Sequence, residues 1–414
     1  MCLCRTYRQN ILKFLSPSGA VILILPPKKR KEPPHFSQKV RKKRKISQNF
    51  PKNPRFSKPF QCVTMSSKSH NQQGIHMKAL ILKAPSRFDY TDVPDPAPGP
   101  GEVLISICAC GICGSDVHGA DGSTGRRLPP IIMGHEAAGT IARLGPNVTG
   151  WTVGDRATFD STISCGNCSF CTSNLVNLCT NRRVLGVSCP EYRQNGAFAQ
   201  YIAVPARILY RLPDSVSFSH AAMTEPLSIA LHAVSRSPIR PDQTALVVGC
   251  GMIGLLVIQC LRAAGCRTIT AVDIDTYKLQ LAAQLGADTT IRTDPAAWEQ
   301  IEIGEVDVAF EAVGIDSTVN LAVSSVKKGG HVVLVGNLAP HVQLPLQKVV
   351  TRQLSLFGSC ASAGEYPQCL DMIASGKVDL APLISAEAPL AEGAKWFAKL
   401  VQKGSGLMKV ILVP

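Results

Sequence analysis

The sequence predicts an α/β protein in which a mostly β domain is followed by a doubly wound parallel sheet. From Met77 to about Ser237, short apolar runs are broken by Pro and Gly, as in Pro94 to Gly101 followed by Val103 to Ile107, a pattern of short strands and turns. From Thr244 onward, strand-like runs alternate with apolar helical stretches at the spacing of a parallel sheet. A Gly-rich hexapeptide at 249–254 falls between one such strand and one such helix. No internal repeat is visible.

The first 76 residues stand apart by charge. The chain of 414 residues has a net charge of +15, but residues 1–76 hold 17 Lys and Arg against one acid, Glu32, leaving 27 basic and 28 acidic residues in the remainder. The body is therefore nearly neutral, which argues against a nucleic-acid or acidic-membrane partner for it. Residues 26–60 combine Pro, Lys, Arg and Ser with few large apolar side chains, too little to offset chain entropy, and disorder is expected there. Lys28-Lys29-Arg30-Lys31 and Arg41 to Lys45 fit a nuclear-localisation or nucleic-acid patch, a transit peptide, or an extension upstream of a start at Met65 or Met77.

The apolar run Gly19 to Leu25 is too short to span a bilayer and runs into Pro26-Pro27, so neither a secretion signal nor a transmembrane helix is expected. Sixteen cysteines, four clustered and the rest scattered, point to a reducing cytoplasm and bound metal rather than a disulfide framework.

In the second part, Ala245 to Val248 reads as a strand leading into helix as far as Ala264. Thr268 to Val272 leads into Lys278 to Leu285, with Gly286 as a helix stop; Val306 to Phe310 and His331 to Val335 are further strands. Gly249-Cys250-Gly251-Met252-Ile253-Gly254 matches G-x-G-x-x-G. Gly249 permits the tight turn, Gly251 lets the backbone approach a pyrophosphate, and Gly254 lets the helix pack closely on the strand. Met252 and Ile253 open the helix, whose N-terminus stabilises phosphate. Asp273, 19 residues beyond Gly254, is placed to accept hydrogen bonds from ribose hydroxyls and to repel a 2′-phosphate, which favours NAD over NADP; Lys278 is placed to reach the ribose.

Cys165, Cys168, Cys171 and Cys179 are spaced C-x2-C-x2-C-x7-C, with Gly166 easing a tight loop. Short gaps let four thiolates converge, and a closed four-thiolate shell suits structural zinc. An iron–sulfur cluster or ordinary buried cysteines are the alternatives. A second set is dispersed: Cys113 in Gly111-Ile112-Cys113-Gly114-Ser115-Asp116, His135 in Gly134-His135-Glu136, and Glu225 in Thr224-Glu225-Pro226-Leu227. Taken singly, a His beside Gly is more often structural, and Glu225 could cap a helix or form an ion pair.

Together and in this order, these segments, with Gly196-Ala197-Phe198-Ala199, resemble the zinc-containing medium-chain dehydrogenase family, and the Glu-Pro-Leu segment resembles its sorbitol and polyol dehydrogenase branch. The similarity covers 77–414. It implies a GroES-like β domain over 77–237 carrying the structural zinc lobe, a Rossmann domain over 238–361, and a C-terminal segment over 362–414 that returns to the first domain.

It also implies two zincs per chain, NAD, an alcohol or polyol substrate, and a homodimer or homotetramer. Cys113 and His135 would bind the catalytic zinc with Glu136 or Glu225 completing the set, and Asp116 would orient His135. Ser115 would hydrogen-bond the substrate hydroxyl and His118 would pass its proton to solvent. Threonine-type 3-hydroxy acids and sugar-alcohol phosphates are neighbouring substrate classes, for which Arg126-Arg127 and Arg182-Arg183 are candidate phosphate contacts. A nucleic-acid-binding protein using the basic arm is the rival from another class; an inactive, NAD-bound structural protein is a third reading.

Overall fold

The computed structural model describes residues 76–414, apart from 190, 191 and 403, and a pairing of Phe14–Leu15 with Val21–Ile22. The basic runs, the disorder expected over 26–60 and the alternative start at Met65 lie outside the described residues.

The first domain is built on two antiparallel arrangements. His76–Ala84 pairs with Arg87–Pro94 on one side and with Ile131–Ile132 on the other. In the larger sheet, Glu102–Gly111 runs beside Glu136–Leu144, which in turn pairs with Arg156–Phe159. Leu80, Leu82, Ile105, Met133, Phe159 and Phe198 fill the space between them almost without exposure. Each such side chain contributes about 1.5–3 kcal/mol when fully buried.

The second domain is a six-stranded parallel sheet. In chain order its strands are Thr244–Val248, Thr268–Asp273, Thr289–Arg292, Val306–Glu311, Val326–Leu334 and Ser355–Gly358, and their spatial order is 3-2-1-4-5-6. This is the doubly wound order whose switch point lies beside the first strand. Thr289–Arg292 and Ser355–Gly358 gave no sequence signal as strands. Both are short edge strands with few fully buried residues, so they carry no apolar run to mark them. The strand read as His331 to Val335 begins earlier, at Val326, because Val326 pairs with Val306 ahead of a register shift.

The helix Thr224–Ser235 precedes residue 238 in sequence, yet Leu227, Ala230, Leu231 and Val234 pack in one core with Leu255, Ile258 and Val247. The apolar side of that helix therefore belongs to the nucleotide-domain core, while its first turn faces the other domain's strands. After Ser355–Gly358 the chain returns. Its last strand, Lys409–Val413, pairs antiparallel with Glu102–Gly111 through Ile411 to Gly111 and Leu412 to Cys110. No helix among the described residues is long and apolar enough to cross a membrane.

Candidate active site

The Gly-rich turn joins the strand Thr244–Val248 to the helix Met252–Ala263, with Gly251 as the N-cap. Gly254 is required by contact: a Cβ there would stand 1.8 Å from the Gly249 carbonyl oxygen. A Cβ on Gly251 would meet nothing within 4 Å, so the space beyond the turn is open to a ligand. Asp273 closes the second strand, buried, and its two carboxylate oxygens accept the backbone N–H groups of Cys250 at 2.6 Å and Asp275 at 2.9 Å. These bonds fix the carboxylate beside the turn and leave each oxygen a further lone pair for ribose hydroxyls. Lys278 lies partly buried in the first turn of the helix Thr276–Gln284, near enough for its charge to act on Cys250 next to Asp273.

The four lobe cysteines converge. Cys165 and Cys171 sulfurs are 3.9 Å apart and those of Cys168 and Cys171 3.5 Å, and all four sulfurs lie within 4.8 Å of one another. A tetrahedron with Zn–S bonds of about 2.3 Å has edges of about 3.8 Å. Backbone N–H groups of Cys171 and Thr180 lower the Cys168 thiol to about 5, whereas burial, reinforced by the neighbouring thiols, pushes Cys171 up to about 11. Four thiolates this close repel one another unless a cation binds between them, so the donor set fits a dication. The lobe is tied down through Asn177, whose amide donates to the Cys360 carbonyl at 2.7 Å.

The dispersed set also converges. Cys113 caps the short helix Gly114–Gly119, and His135 immediately precedes the strand Glu136–Leu144. Gly134 turns the chain there with φ +93°, and the Gly196-Ala197-Phe198 segment pins that turn: Ala197 N–H donates to the Gly134 carbonyl and Phe198 N–H to that of Met133. Ligand atoms of Cys113, His135 and Glu136 lie within 4.8 Å of one another. One thiolate from one segment and an imidazole and a carboxylate from another suit zinc with a coordination position left over for substrate.

Glu225, in the first turn of the helix Thr224–Ser235, is not among those atoms. Its carboxyl is pushed up to about 7 by burial, with His135 and Lys409 opposing the shift and Glu136 adding to it. Asp116 is fully buried, with Oδ1 3.5 Å from His135 Nδ1 and Oδ2 accepting the Cys113 N–H at 3.3 Å. Burial opposes its charge, but His135 and Arg127 outweigh that and hold it well below the usual carboxylate range. Ser115 Oγ donates to Cys113 Sγ at 3.3 Å from an exposed position, and His118 is exposed on the same short helix one turn on.

Sequence reasoning missed two cations. Lys409 is 273 residues from Glu136 and grips both of its carboxylate oxygens. The available signal was a lone lysine in the apolar run Met408 to Val413. Arg127, read above as a phosphate contact, is 3 % exposed and paired with Asp116 at 2.9 Å. Arg182 is likewise committed: it lies over the Tyr192 ring and donates to the Asn177 carbonyl. Neither is free to bind phosphate; of the two pairs only Arg126 and Arg183 are exposed.

Residues 99–214 match the alcohol dehydrogenase GroES-like domain and residues 253–375 match the zinc-binding dehydrogenase domain. L-idonate 5-dehydrogenase of Vitis vinifera is 34% identical over 333 residues, 78% of this chain and 89% of that protein. Sorbitol dehydrogenase of Bacillus subtilis is 32% identical over 349 residues, covering 82% of this chain and 98% of its relative. A Sinorhizobium meliloti structure solved with NADP bound superposes with a TM-score of 0.75 at 33% identity, over 82% of this chain and 100% of that one. Two converged donor sets, a GroES-like half and a parallel nucleotide-binding half thus lie in one chain, which belongs to the zinc-containing medium-chain dehydrogenase family of oxidoreductases.

Proposed function

We propose that this protein oxidises a secondary alcohol of a polyol or sugar alcohol with NAD, using one zinc at Cys113, His135 and Glu136 and a second, structural zinc at Cys165, Cys168, Cys171 and Cys179. The observation that carries the reading is the convergence of Cys113, His135 and Glu136 beside the exposed hydroxyl of Ser115. The relatives named for L-idonate and sorbitol support the polyol class. A neighbour holds NADP, but here Asp273 would place a carboxylate against a 2′-phosphate, so NAD is the cofactor of this reading.

When bound, zinc supplies Lewis-acid polarisation of the alcohol oxygen and the nicotinamide supplies the hydride acceptor. The residues of the chain orient and move the proton. Ser115 Oγ would take the hydroxyl proton of the substrate as its own O–H turns from Cys113 Sγ to release a proton, which would leave to solvent by way of His118, exposed three residues on. Asp116 Oδ1 stands 3.5 Å from His135 Nδ1, where it would orient the ring towards a metal. Glu225 faces His135 and Glu136 from the first turn of the helix Thr224–Ser235, near enough for their charges to act on it.

The chain forms a homo-oligomer in this reading. Leu338, Leu346 and Val350, in the segment that leads into the open edge strand Ser355–Gly358, are each more than half exposed, apolar side chains of the kind that a second copy covers. A reducing cytoplasm suits the two thiolate sites.

The test is NAD reduction by the purified protein across polyols, sugar-alcohol phosphates, simple alcohols and threonine, with zinc counted in the same sample. Two zincs per chain and a polyol preference support the reading. One zinc with no turnover on any of these would sink it.

A further inference from the structure

Arg127 lies under the short helix that carries Ser115 and Asp116. Its stem passes against Gly119, where a Cβ would stand 2.6 Å from Arg127 Cγ, so the helix is shaped to let the side chain through. Its head reaches two acceptors at once. Nε and Nη2 donate to Asp116 Oδ1 at 3.2 and 2.9 Å, and Nη2 also donates to Ser115 Oγ at 3.3 Å. The same Asp116 oxygen faces His135 Nδ1, and the same Ser115 hydroxyl donates to Cys113 Sγ. One planar guanidinium therefore touches the groups that back two of the three residues of the dispersed donor set.

The geometry points to Arg127 as a positioning residue that sets, through one guanidinium, both the carboxylate behind His135 and the hydroxyl of Ser115. The inference rests on the dehydrogenase reading above. Two physical consequences give it content. Oδ1 of Asp116 is shared between a permanent cation and the imidazole, so the carboxylate is fixed in place and cannot swing towards the metal ligands. The Arg127 N–H occupies one acceptor pair of Ser115 Oγ, which leaves one acceptor position and the O–H. The acceptor position can take the proton of the substrate, and the O–H, which faces Cys113 Sγ, can hand on its own by turning away from that sulfur. A lysine has the charge but not the fork, and cannot hold both acceptors in one plane.

The test uses the full chain as wild type, Arg127→Lys, Arg127→Ala, Ser115→Ala and the Ser115→Ala/Arg127→Lys double variant. Zinc affinity is measured by chelator competition, and kcat and KM are measured separately. Arg127→Lys is expected to fold, to lose on the order of 10- to 100-fold in affinity for the catalytic zinc, and to lose kcat with the KM for NAD unchanged. The kcat losses of Ser115→Ala and Arg127→Lys are expected to combine to less than their product, since both act on one hydroxyl. Free guanidinium is expected to restore part of the activity of Arg127→Ala.

Arg127→Lys with wild-type kcat and zinc affinity, or fully multiplicative losses in the double variant, would overturn the inference. If Arg127→Ala does not fold, the lysine variant and the cycle still decide. Zinc content and turnover of the wild type report on the dehydrogenase reading; ratios of variant to wild type report on Arg127 alone.

Discussion

Lys409 Nζ stands 2.5 Å from Oε2 and 2.7 Å from Oε1 of Glu136, and neither side chain is more than 2 % exposed. The same ammonium donates to the Ile112 carbonyl at 3.1 Å, next to Cys113. Burial opposes a charge on Lys409, but Glu136 and Cys113 overcome it and hold the lysine above its ordinary range. The last strand of the chain thus delivers a cation to the carboxylate that adjoins His135.

In the metal-free protein, breaking this pair should cost more than the pair itself contributes, because Glu136 would lose the cation that grips both of its oxygens. Lys409→Met is expected to lower unfolding stability by about 3–5 kcal/mol, read from the urea midpoint at constant m-value. Lys409→Arg should recover much of that. A methionine variant as stable as wild type would mean that the Lys409–Glu136 pair does not stabilise the fold.

Cys113→Ser is expected to reduce the zinc content from two per chain to one and to abolish turnover, with NAD binding retained. Cys168→Ser should also leave one zinc, but with a lower melting temperature, because the lobe loses its cross-link. Metal counting by emission spectroscopy together with NAD titration checks both. Full activity in Cys113→Ser would remove the residue from the catalytic site.

Asp273 is expected to set cofactor choice. Asp273→Asn keeps the size of the side chain and one acceptor for the N–H groups of Cys250 and Asp275, but removes the charge that a 2′-phosphate would meet. The NADP to NAD ratio of kcat/KM should rise by about tenfold, a change of about 1.4 kcal/mol. An unchanged ratio would show that another group excludes NADP.

Asp160 is buried, its carboxylate accepting the Thr162 N–H at 2.8 Å, and burial outweighs Thr162 and pushes its carboxyl up to about 6 from 3.8. Between those values the native state holds more protons than the unfolded chain, so stability falls as pH rises from about 4 to about 6 and the penalty is complete above that. Two units correspond to roughly 3 kcal/mol. Asp160→Asn should therefore stabilise the protein at pH 8, with the gain shrinking below pH 5. Melting curves at the two pH values check the sign.

Much of this molecule is local and therefore legible in the sequence. The turn at 249–254 works because consecutive residues are consecutive in space: a strand, three glycines and a helix occupy one short stretch. The spacing of Cys165, Cys168, Cys171 and Cys179 is local in the same sense, since one small loop brings their sulfurs together. The strands Thr244–Val248, Thr268–Asp273 and Val306–Glu311 are buried enough to show as apolar runs. The edge strands Thr289–Arg292 and Ser355–Gly358 are not.

Only the tertiary structure decided the partners of the buried charges. Whether Arg127 faces solvent or Asp116 depends on the fold of the loop after the Gly114–Gly119 helix, and two adjacent arginines look alike in sequence although only one is buried. Lys409 meets Glu136 because the last strand pairs with Glu102–Gly111, a register that no local pattern encodes. The sequence by itself determined which segment could hold a nucleotide and which could hold the four-thiolate metal, since both depend on short-range spacing. Only the folded chain decided which charges balance the metal-binding residues, because a charge can be buried only where its partner arrives and those partners come from distant parts of the chain.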